Sequence, residues 1–303
     1  VDNTFATPFC QRPLELGADM SVHSLTKNIC GFGTDMGGAV ITSKRYEGQL
    51  MLYRKDFGGV LSPKNAWAIL VYGLPSLDLR LRREETSALQ IARFLESHPA
   101  IARVYHPGLE SFPQKALAQR QMTDFDGNFA PGNMIYFTLK GSKKDADRRG
   151  TNTIDFIAKN AYTITVAVSL GQIRTLIERP SSMTHSAIPS KSQGQANIDM
   201  GGIRLSIGIE DAEDIIADLQ TALDRVTLDT RGGSDKIDAS KLTKQPVTLE
   251  LRGGDSNDTL IGSPFADVLD GGQDDDTITG GLGADTYYDS GGQDTLVEVR
   301  DAN

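Results

Sequence analysis

The sequence predicts a mixed α/β protein over residues 1–224 and a short parallel β-roll over residues 225–303. In the first region, short apolar runs flanked by glycine alternate with longer segments whose apolar residues have helical spacing. In the second region, glycine and aspartate recur every nine residues. Charge divides the chain at the same place, because residues 1–224 carry 24 basic and 24 acidic residues whereas residues 225–303 carry 7 and 16. We therefore predict a domain boundary near Asp224.

Strands and helices can be assigned in order along the first region. The runs "DMSVHS" and "GGAVITS" lie next to glycine or aspartate, and we interpret both as buried strands. The segment "REETSALQIARFLESHP" places its apolar residues from Ala88 to Leu95 on one helical face and ends at a proline. The runs "NMIYFTL" and "GIRLSI" are typical of strands. The segment "IEDAEDIIADLQTALD" begins with acidic residues, which favour a helix N-terminus.

Composition excludes several classes of protein. Apolar residues make up 39% of the chain and charged residues 23%, which is typical of a soluble globular protein. No stretch approaches the ~18 consecutive apolar residues of a membrane span, and no region is basic enough to indicate nucleic-acid binding. Cys10 and Cys30 have no metal-site spacing and are too few for a disulfide framework. We expect both cysteines, and also Trp67, to lie in the core.

The stretch "VHSLTKNICGFGTDMGG" (Val22–Gly38) has three possible interpretations. Ser24 and Lys27 form a Ser-x-x-Lys pair, which is a nucleophile and base in penicillin-binding proteins, but the partner motifs Ser-x-Asn and Lys-Thr-Gly do not follow. The glycine-rich part lacks the Gly-Lys-Ser/Thr ending of a phosphate loop. The third interpretation makes the Lys27 amine itself the reactive group.

A lysine amine can form a Schiff base with an aldehyde cofactor, and a pyridoxal cofactor requires three further groups. Hydroxyls or backbone amides must bind its phosphate, and Ser24 and Thr26 flank Lys27 at a suitable spacing. A carboxylate must face its pyridine nitrogen, and Asp2 could supply one from the end of an apparent strand. A cation must bind the substrate carboxylate, and Arg204 in "GGIRLSIG" could supply a bidentate guanidinium.

Three segments resemble one enzyme family. The segment "VDNTFATPFCQRPLELGADMSVHSLTKNICGFGTDMGGAV" is similar to the surroundings of the cofactor lysine in the pyridoxal-phosphate enzymes of Cys/Met metabolism, which include cystathionine γ-synthases and methionine γ-lyases. The segments "AVSLGQIRTLIERPSSMTHSAIP" and "GGIRLSIGIEDAEDIIADLQTAL" resemble later motifs of that family, so the resemblance covers residues 1–224 in order. It implies a Schiff base and proton transfer at Lys27, a pyridine-nitrogen contact at Asp2, phosphate binding at Ser24 and Thr26, and substrate binding at Ser169 and Arg204.

The resemblance also implies a fold and a reaction. The fold is that of pyridoxal-phosphate-dependent transferases, with a partial large domain and connecting helix over residues 1–98 and a small α+β domain over residues 99–224. The reaction is β/γ-elimination or γ-replacement on a homoserine-, methionine- or cystathionine-like amino acid, in a full-length enzyme that is a homo-oligomer. Complete members have a long portion before the equivalent of Val1 that supplies a phosphate loop and a tyrosine stacked on the cofactor ring. We therefore expect the chain as given to bind the cofactor poorly and to turn over little substrate.

Residues 253–288 contain four nine-residue units, GGDSNDTLI, GSPFADVLD, GGQDDDTIT and GGLGADTYY. Position six of each unit is aspartate, and position eight is leucine, isoleucine or tyrosine. This is the pattern of parallel β-rolls, in which glycines allow tight turns and aspartates bind Ca²⁺ together with turn carbonyls. The candidate calcium ligands are Asp258, Asp267, Asp276 and Asp285.

The tail resembles the RTX (repeat-in-toxin) family, whose members are typically bacterial, secreted and calcium-bound. In that family the ions lie between turns two units apart, which implies pairing of Asp258 with Asp276 and of Asp267 with Asp285. The unit that contains Asp267 departs from the pattern, because "SPF" stands where small glycines are usual.

Two functions from different classes follow. The first is a pyridoxal-phosphate-dependent sulfur-amino-acid enzyme with a calcium-binding tail. The second is a catalytically inert enzyme remnant on a secreted calcium-binding module. The enzyme family implies a cytoplasmic location and the repeats imply an extracellular one, while the first residues lack the features of a secretion signal. We expect a small amino acid as the binding partner, with no nucleic acid and no membrane span.

Overall fold

The chain forms two compact units, Val1–Asp218 and Leu219–Asn303. No helix in the part of the chain that the structure describes is long and apolar enough to cross a membrane. The last six residues of the "AVSLGQIRTLIERPSSMTHSAIP" motif lie outside that part, and the predicted division at residue 98 stays a prediction. The computed structural model describes residues 1–183, 199, 201–243, 248–288 and 291–297.

The first unit begins with helix α1 (Thr7–Cys10) and an antiparallel hairpin. Strand β1 (Met20–Ser24) pairs with β2 (Gly38–Thr42), and a short π-type turn, Leu25–Ile29, follows β1 directly. Both cysteines are buried free thiols, as predicted.

Two predictions about burial in this part are wrong. Strand β2 is largely exposed, with 48% of Val40 and 43% of Ile41 accessible to solvent. Trp67 is 56% exposed, and its ring packs edge-on against Tyr72. The sequence predicted the apolar character of these residues, but burial also requires a covering layer. Within the described residues the hairpin has two strands, and β2 pairs with β1 alone.

A run of helices connects the hairpin to the main sheet. The Ser62 hydroxyl accepts a hydrogen bond from the Asn65 backbone N–H at 3.2 Å and so caps the helix Pro63–Ala68. The long helix Leu74–Ser97 buries the predicted apolar residues from Ala88 to Leu95, which confirms the predicted helix. The segments are a 3₁₀ turn at Lys44–Tyr46, α2 (Glu47–Phe57), α3 (Pro63–Ala68), a π-type turn at Ile69–Gly73 and α4 (Leu74–Ser97).

A five-stranded sheet forms the core of the rest of the first unit. Its strands are β3 (Ile101–Tyr105), β4 (Met134–Leu139), β5 (Thr165–Val166), β6 (Leu176–Glu178) and β7 (Gly202–Ser206). Across the sheet the order is β3-β4-β7-β6-β5, and every pair is antiparallel except β5 with β6. Phe137, Ile177 and Leu205 are fully buried on it. The helices that follow α4 are α5 (Lys115–Gln121) and α6 (Lys143–Asn160). Helix α7 (Ala212–Leu223) begins in the first unit and contains the boundary between Asp218 and Leu219.

The second unit is a β-roll of two four-stranded parallel sheets, as predicted. Leu260, Leu269 and Ile278, at position eight of their repeats, are buried in a core shared by both sheets, and Tyr287 is partly buried against it. One sheet contains β8 (Arg225–Asp229), β10 (Thr248–Gly254), β12 (Asp267–Gly272) and β14 (Thr286–Tyr288), and the other contains β9 (Lys236–Asp238), β11 (Thr259–Ile261), β13 (Thr277–Thr279) and β15 (Thr295–Val297).

Candidate functional site

The turn that follows β1 places Lys27 at a break in helical geometry. Lys27 has φ −89° and ψ −138°, which is not helical, although its carbonyl still accepts the Gly31 N–H at 2.9 Å. The Lys27 side chain is half-buried, and its Nζ donates to the Ser169 hydroxyl at 2.7 Å. A contact between residues 142 positions apart therefore orients the amine.

Ser169 and Arg204 complete a cluster with Lys27. Ser169 has φ 135°, a backbone conformation that residues other than glycine rarely adopt and that costs about 1–3 kcal/mol. Arg204, on β7, donates from Nη2 to the Ser169 carbonyl at 2.6 Å and pairs with the buried Glu178 of β6 at 3.0 Å. The structure thus brings three of the predicted site residues, Lys27, Ser169 and Arg204, into contact.

The burial of Lys27 and the neighbouring charge of Arg204 favour its neutral amine. Burial lowers the pKa of Lys27, and the positive charge of Arg204 lowers it further, while Glu178 raises it. Burial also lowers the pKa of Arg204, and the nearby Glu178 carboxylate opposes that shift. A lysine attacks an aldehyde only in its neutral form, so these shifts favour a nucleophilic amine.

Asp2 lies beside β1 through a parallel bridge to Val22. Its Oδ1 accepts the Thr4 N–H at 2.9 Å, and hydrogen bonding to Thr4 lowers the pKa of Asp2, with smaller contributions from His23 and the N-terminus. The carboxylate is therefore ionised at neutral pH. His23 is buried, and its Nε2 lies 3.0 Å from the Ser21 hydroxyl.

The two predicted phosphate ligands differ in their availability. The Thr26 hydroxyl accepts the Gly37 N–H at 3.1 Å and so already holds the loop that leads to β2. Ser24 donates its backbone N–H to the Thr4 hydroxyl at 2.9 Å. The Ser24 hydroxyl itself makes no hydrogen bond to any described residue, which leaves it able to bind an anion.

A buried polar network supports the Lys27 turn, and the sequence analysis missed it. Asn28 is fully buried; its carbonyl accepts from Arg80 Nη2 at 2.9 Å, and its side-chain Oδ1 accepts from Asn133 at 3.1 Å. Asn133 also donates to the buried carboxylate of Glu84 at 2.8 Å. Arg80 and Glu84 both come from α4, so this long helix contacts the Asn28 backbone directly and is linked to the Asn28 side chain through Asn133.

One signal in the sequence could have indicated this network. Arg80 and Glu84 lie four residues apart on the same face of α4 as the buried Leu77, Leu81 and Ala88. Charged residues on an apolar helix face are rarely buried without partners, so they predict a buried contact with another segment. The sequence alone does not say which segment provides it.

The groups beside β1, on the Lys27 turn and on β7 fit a pyridoxal cofactor and an amino-acid substrate. Lys27 provides an amine of lowered pKa, Asp2 an ionised carboxylate and Ser24 an uncommitted hydroxyl. The Nε of Arg204 and the Nδ1 of His23 are buried without a hydrogen-bond partner among the described residues. Buried polar atoms usually have partners, so unpaired ones beside these groups fit a site that binds a polar ligand.

The aspartates of the roll occupy the positions that the repeat spacing predicts. The Asp258 N–H donates to Asp276 Oδ1 at 2.8 Å, and the Asp267 N–H donates to Asp285 Oδ1 at 2.9 Å, so both predicted pairs are in contact. The Oδ2 atoms of Asp258 and Asp276 are buried without a hydrogen-bond partner in the described chain, which fits a hard cation.

Glycines make space for these carboxylates. A Cβ atom at Gly253 would overlap Asp258 Oδ2, and one at Gly271 would overlap Asp276 Oδ2. Among the described residues, no three histidine, cysteine or acidic side chains converge on one point. Backbone carbonyls would therefore have to supply most ligands of a bound cation.

Comparison with known families gives two matches. The Cys/Met metabolism PLP-dependent enzyme family matches residues 1–224. The RTX calcium-binding nonapeptide repeat (4 copies) matches residues 252–287. Both matches confirm the resemblances found in the sequence.

Individual relatives agree with the family match. L-methionine gamma-lyase of Fusobacterium nucleatum subsp. polymorphum is 43% identical over 228 residues, which cover 75% of this chain and 54% of that protein. Cystathionine gamma-lyase of Bacillus subtilis (strain 168) is 38% identical over 227 residues, covering 75% of this chain and 56% of that protein. The chain therefore spans about half the length of the curated relatives it matches.

Solved structures extend the agreement to the fold. The cystathionine gamma synthase from Xanthomonas oryzae pv. oryzae in complex with cystathionine superposes with a TM-score of 0.65 at 39% identity, covering 74% of this chain and 54% of that one. The cystathionine gamma lyase CalE6 from Micromonospora echinospora superposes with a TM-score of 0.66 at 34% identity, covering 74% of this chain and 55% of that one. Over residues 1–224 the chain belongs to the Cys/Met metabolism family of PLP-dependent enzymes, and RTX calcium-binding repeats follow it.

Proposed function

We propose that the first unit carries the site of a pyridoxal-phosphate-dependent sulfur-amino-acid enzyme. The reaction is β/γ-elimination or γ-replacement on a homoserine-, methionine- or cystathionine-like substrate. The observation that carries the proposal is the contact of Lys27 Nζ with the Ser169 hydroxyl, next to the Arg204 guanidinium. The family match and the names of the relatives support the same class of reaction.

Each residue of the cluster has a distinct task in this proposal. Lys27, with its lowered pKa, binds the aldehyde and later takes and returns the proton of the substrate α-carbon. Ser169 orients the amine through its hydroxyl. Arg204 binds the substrate carboxylate, which suits a planar guanidinium that is partly buried and held by Glu178 on one side.

The cofactor contacts follow from the same elements. Asp2 would hold the pyridine nitrogen in its protonated form, because its own carboxyl remains ionised. Ser24 would bind the phosphate through its free hydroxyl. The Thr26 hydroxyl would donate its proton to the phosphate while it still accepts the Gly37 N–H. Pyridoxal phosphate, when bound, supplies a ring that withdraws electrons from the substrate α-carbon.

Chemical labelling tests the lysine assignment. The full chain is incubated with pyridoxal phosphate, reduced with borohydride, digested and analysed by mass spectrometry. We expect the label at Lys27 even where the cofactor binds weakly, because borohydride reduction makes the Schiff base irreversible. The label should be lost in Lys27→Ala and retained in a matched Lys44→Ala variant, because Lys44 is exposed on the 3₁₀ turn. Equal labelling of exposed lysines with none at Lys27 would contradict the proposal.

Turnover tests the reaction. Elimination from methionine or cystathionine releases a 2-oxo acid and ammonia together with a thiol, so the 2-oxo acid can be measured directly. We expect Arg204→Lys to raise KM more than it lowers kcat, because a lysine cannot match the bidentate contact with a carboxylate. An unchanged KM would exclude Arg204 as the carboxylate ligand.

We further propose that the repeats bind Ca²⁺ and that the roll requires it to fold fully. The unpaired buried oxygens of Asp258 and Asp276 support this, because a carboxylate buried without a partner is costly. Circular dichroism with and without millimolar calcium tests it. A spectrum that calcium leaves unchanged would argue against the proposal.

A second candidate is an inert enzyme remnant on a calcium-binding module. Exposed apolar side chains near the Lys27 turn favour it, since Met36 is 73% and Phe32 39% accessible in this unit. The two candidates differ in the labelling experiment. Calcium binding without any label at Lys27 would favour the remnant, and label at Lys27 with 2-oxo acid release would exclude it.

A further inference from the structure

The turns of the β-roll differ in how many oxygens of their aspartates accept hydrogen bonds. Three aspartates, Asp258, Asp276 and Asp294, follow one another at intervals of 18 residues on turns that lead into the sheet of β11, β13 and β15. We call these three residues the acidic row. The turn Gly262–Asp267 leads into β12 of the other sheet, and we call it the serine turn because Ser263 occupies its second position.

In the acidic row, one oxygen of each carboxylate accepts a hydrogen bond and the other accepts none from the described residues. The Asp258 N–H donates to Asp276 Oδ1 at 2.8 Å, and the Asp276 N–H donates to Asp294 Oδ1 at 2.9 Å. The Oδ1 of Asp258 accepts the Asp235 N–H at 2.8 Å. All three Oδ2 atoms are buried without a hydrogen-bond partner in the part of the chain that the structure describes. Asp258 and Asp276 are each 2% exposed, so water does not replace the missing partner at the protein surface.

In the serine turn, both oxygens of the aspartate are used. The Ser263 hydroxyl donates to Asp267 Oδ1 at 2.9 Å, and the Ser263 backbone N–H donates to Asp267 Oδ2 in a short hydrogen bond. Ser263 and Asp267 are 1% and 2% exposed. The serine therefore supplies, within one turn, the donors that the acidic row lacks.

The backbone of the serine turn differs as well. At the second position of their repeats, Gly254, Gly272 and Gly281 have φ between 100° and 112°, and a Cβ atom there would collide with a carbonyl of the turn below. Ser263 holds the same position and is not among the residues with positive φ. A side chain at this position disfavours the left-handed conformation, so the backbone of the serine turn differs from that of the glycine turns at its second residue.

We propose that calcium binds along the acidic row and that the serine turn closes without metal. Asp258, Asp276 and Asp294 then supply the carboxylate ligands, with turn carbonyls completing the coordination. Compared with the ligands expected from the sequence, the row keeps Asp258 and Asp276, adds Asp294, and leaves out both Asp267 and its stacking partner Asp285. Asp294 lies outside the matched repeats at 252–287. The inference rests on the proposed calcium binding and adds which turns perform it.

The chemistry explains the division. A cation at the acidic row gains carboxylate oxygens that have no competing donor. A cation at Asp267 would have to displace two hydrogen bonds from Ser263 and rotate a buried carboxylate. The ion therefore binds at the acidic row in preference to Asp267. At Asp267 the hydrogen bonds from Ser263 stabilise the buried carboxylate, which in the acidic row is the role of the ion.

Calcium titration of the full chain by calorimetry tests the inference with three variants. Asp276→Asn, in the middle of the row, should weaken calcium binding at least tenfold or remove a site. Asp267→Asn should leave affinity within twofold and the number of bound ions unchanged. Ser263→Gly should add one bound ion, because it restores the glycine of the pattern and frees Asp267, and a gain of this kind cannot come from misfolding.

The outcomes separate the inference from the function on which it rests. A wild-type chain that binds no calcium would overturn the proposed calcium binding as a whole. Calcium binding that Asp267→Asn weakens as strongly as Asp276→Asn, or a Ser263→Gly variant with no additional ion, would overturn only the one-sided arrangement. The arrangement is supported if calcium affinity falls in Asp276→Asn, stays unchanged in Asp267→Asn, and one additional calcium ion binds to Ser263→Gly.

Discussion

Glu84 offers a quantitative test of the network beneath Lys27. Its side chain is fully buried on α4, and burial raises the pKa of Glu84 to about 7, although the Arg80 charge and the Asn133 hydrogen bond oppose the shift. In the unfolded chain the carboxyl returns to its ordinary pKa of 4.5. Between these values the folded chain retains a proton that the unfolded chain has lost, so stability falls as pH rises from 4.5 to 7.

The size of this effect follows from the pKa difference, at about 1.4 kcal/mol for each pH unit. Between pH 5 and pH 8, ionisation of Glu84 should lower the free energy of unfolding by about 2–3 kcal/mol. Glu84→Gln keeps the shape of the side chain and its bond to Asn133 but cannot ionise. Its free energy of unfolding should therefore lack this part of the pH dependence.

Urea unfolding at pH 5 and pH 8 measures the difference. Trp67 is the only tryptophan of the chain and lies in Val1–Asp218, so its fluorescence reports on that unit. Glu110→Gln is the matched control, because the Glu110 side chain is 93% exposed, and it should keep the wild-type pH dependence. Burial also raises the pKa of Glu85 to about 7. Glu85 is present in all three proteins, so its contribution to the pH dependence cancels when they are compared. Parallel pH profiles of wild type and Glu84→Gln would refute the reasoning.

Three further predictions concern the same unit. Burial lowers the pKa of His106 to about 4, so stability should be lost as pH falls from 6.5 to 4, and urea unfolding of His106→Gln should show a weaker loss. Arg80→Met should destabilise the unit by about 3–5 kcal/mol, because it leaves carbonyls and a carboxylate buried without their cation, whereas urea unfolding of the exposed Arg93→Met should shift little. Gly171→Ala should reduce labelling of Lys27 by pyridoxal phosphate, because Gly171 has φ 70° and an added Cβ would collide with the Asn28 backbone. Gly127→Ala is the control: Gly127 has φ 84° but open space around it, so this variant carries only backbone strain and should leave the labelling unchanged.

The repeats of the roll were the most predictable part of the fold. The nine-residue period fixes which residue faces the core and which turn carries aspartate, so Leu260 and Asp258 lie where the sequence placed them. Local chemistry is sufficient there, because each strand pairs with a copy of itself one turn away. What the period could not predict was the use of Ser263, since a serine at a glycine position allows several turn conformations and the hydrogen bonds decide among them.

Burial was less predictable than strand or helix formation. The apolar run of β2 and the aromatic Trp67 carry the signal of a core, yet both are exposed. An apolar pattern states which face should be covered and not what covers it, and the covering layer depends on segments far away in the sequence. The contact of Lys27 with Ser169 has the same origin, because 142 residues separate its partners and no local pattern links them.

The break at Lys27 explains why charged residues lie on the buried face of α4. Lys27 leaves helical geometry, so the backbone carbonyls that follow it must find donors outside a regular helix. Arg80 Nη2 lies 2.9 Å from the Asn28 carbonyl, 3.4 Å from that of Ile29 and 3.0 Å from that of Gly73. A planar guanidinium can serve several carbonyls at once, which a lysine ammonium on a flexible stem does less well. The non-helical conformation at Lys27 is thus stabilised by a charge placed more than fifty residues later, and the burial of Arg80 follows from the backbone geometry of the Lys27 turn rather than from the packing of its own helix.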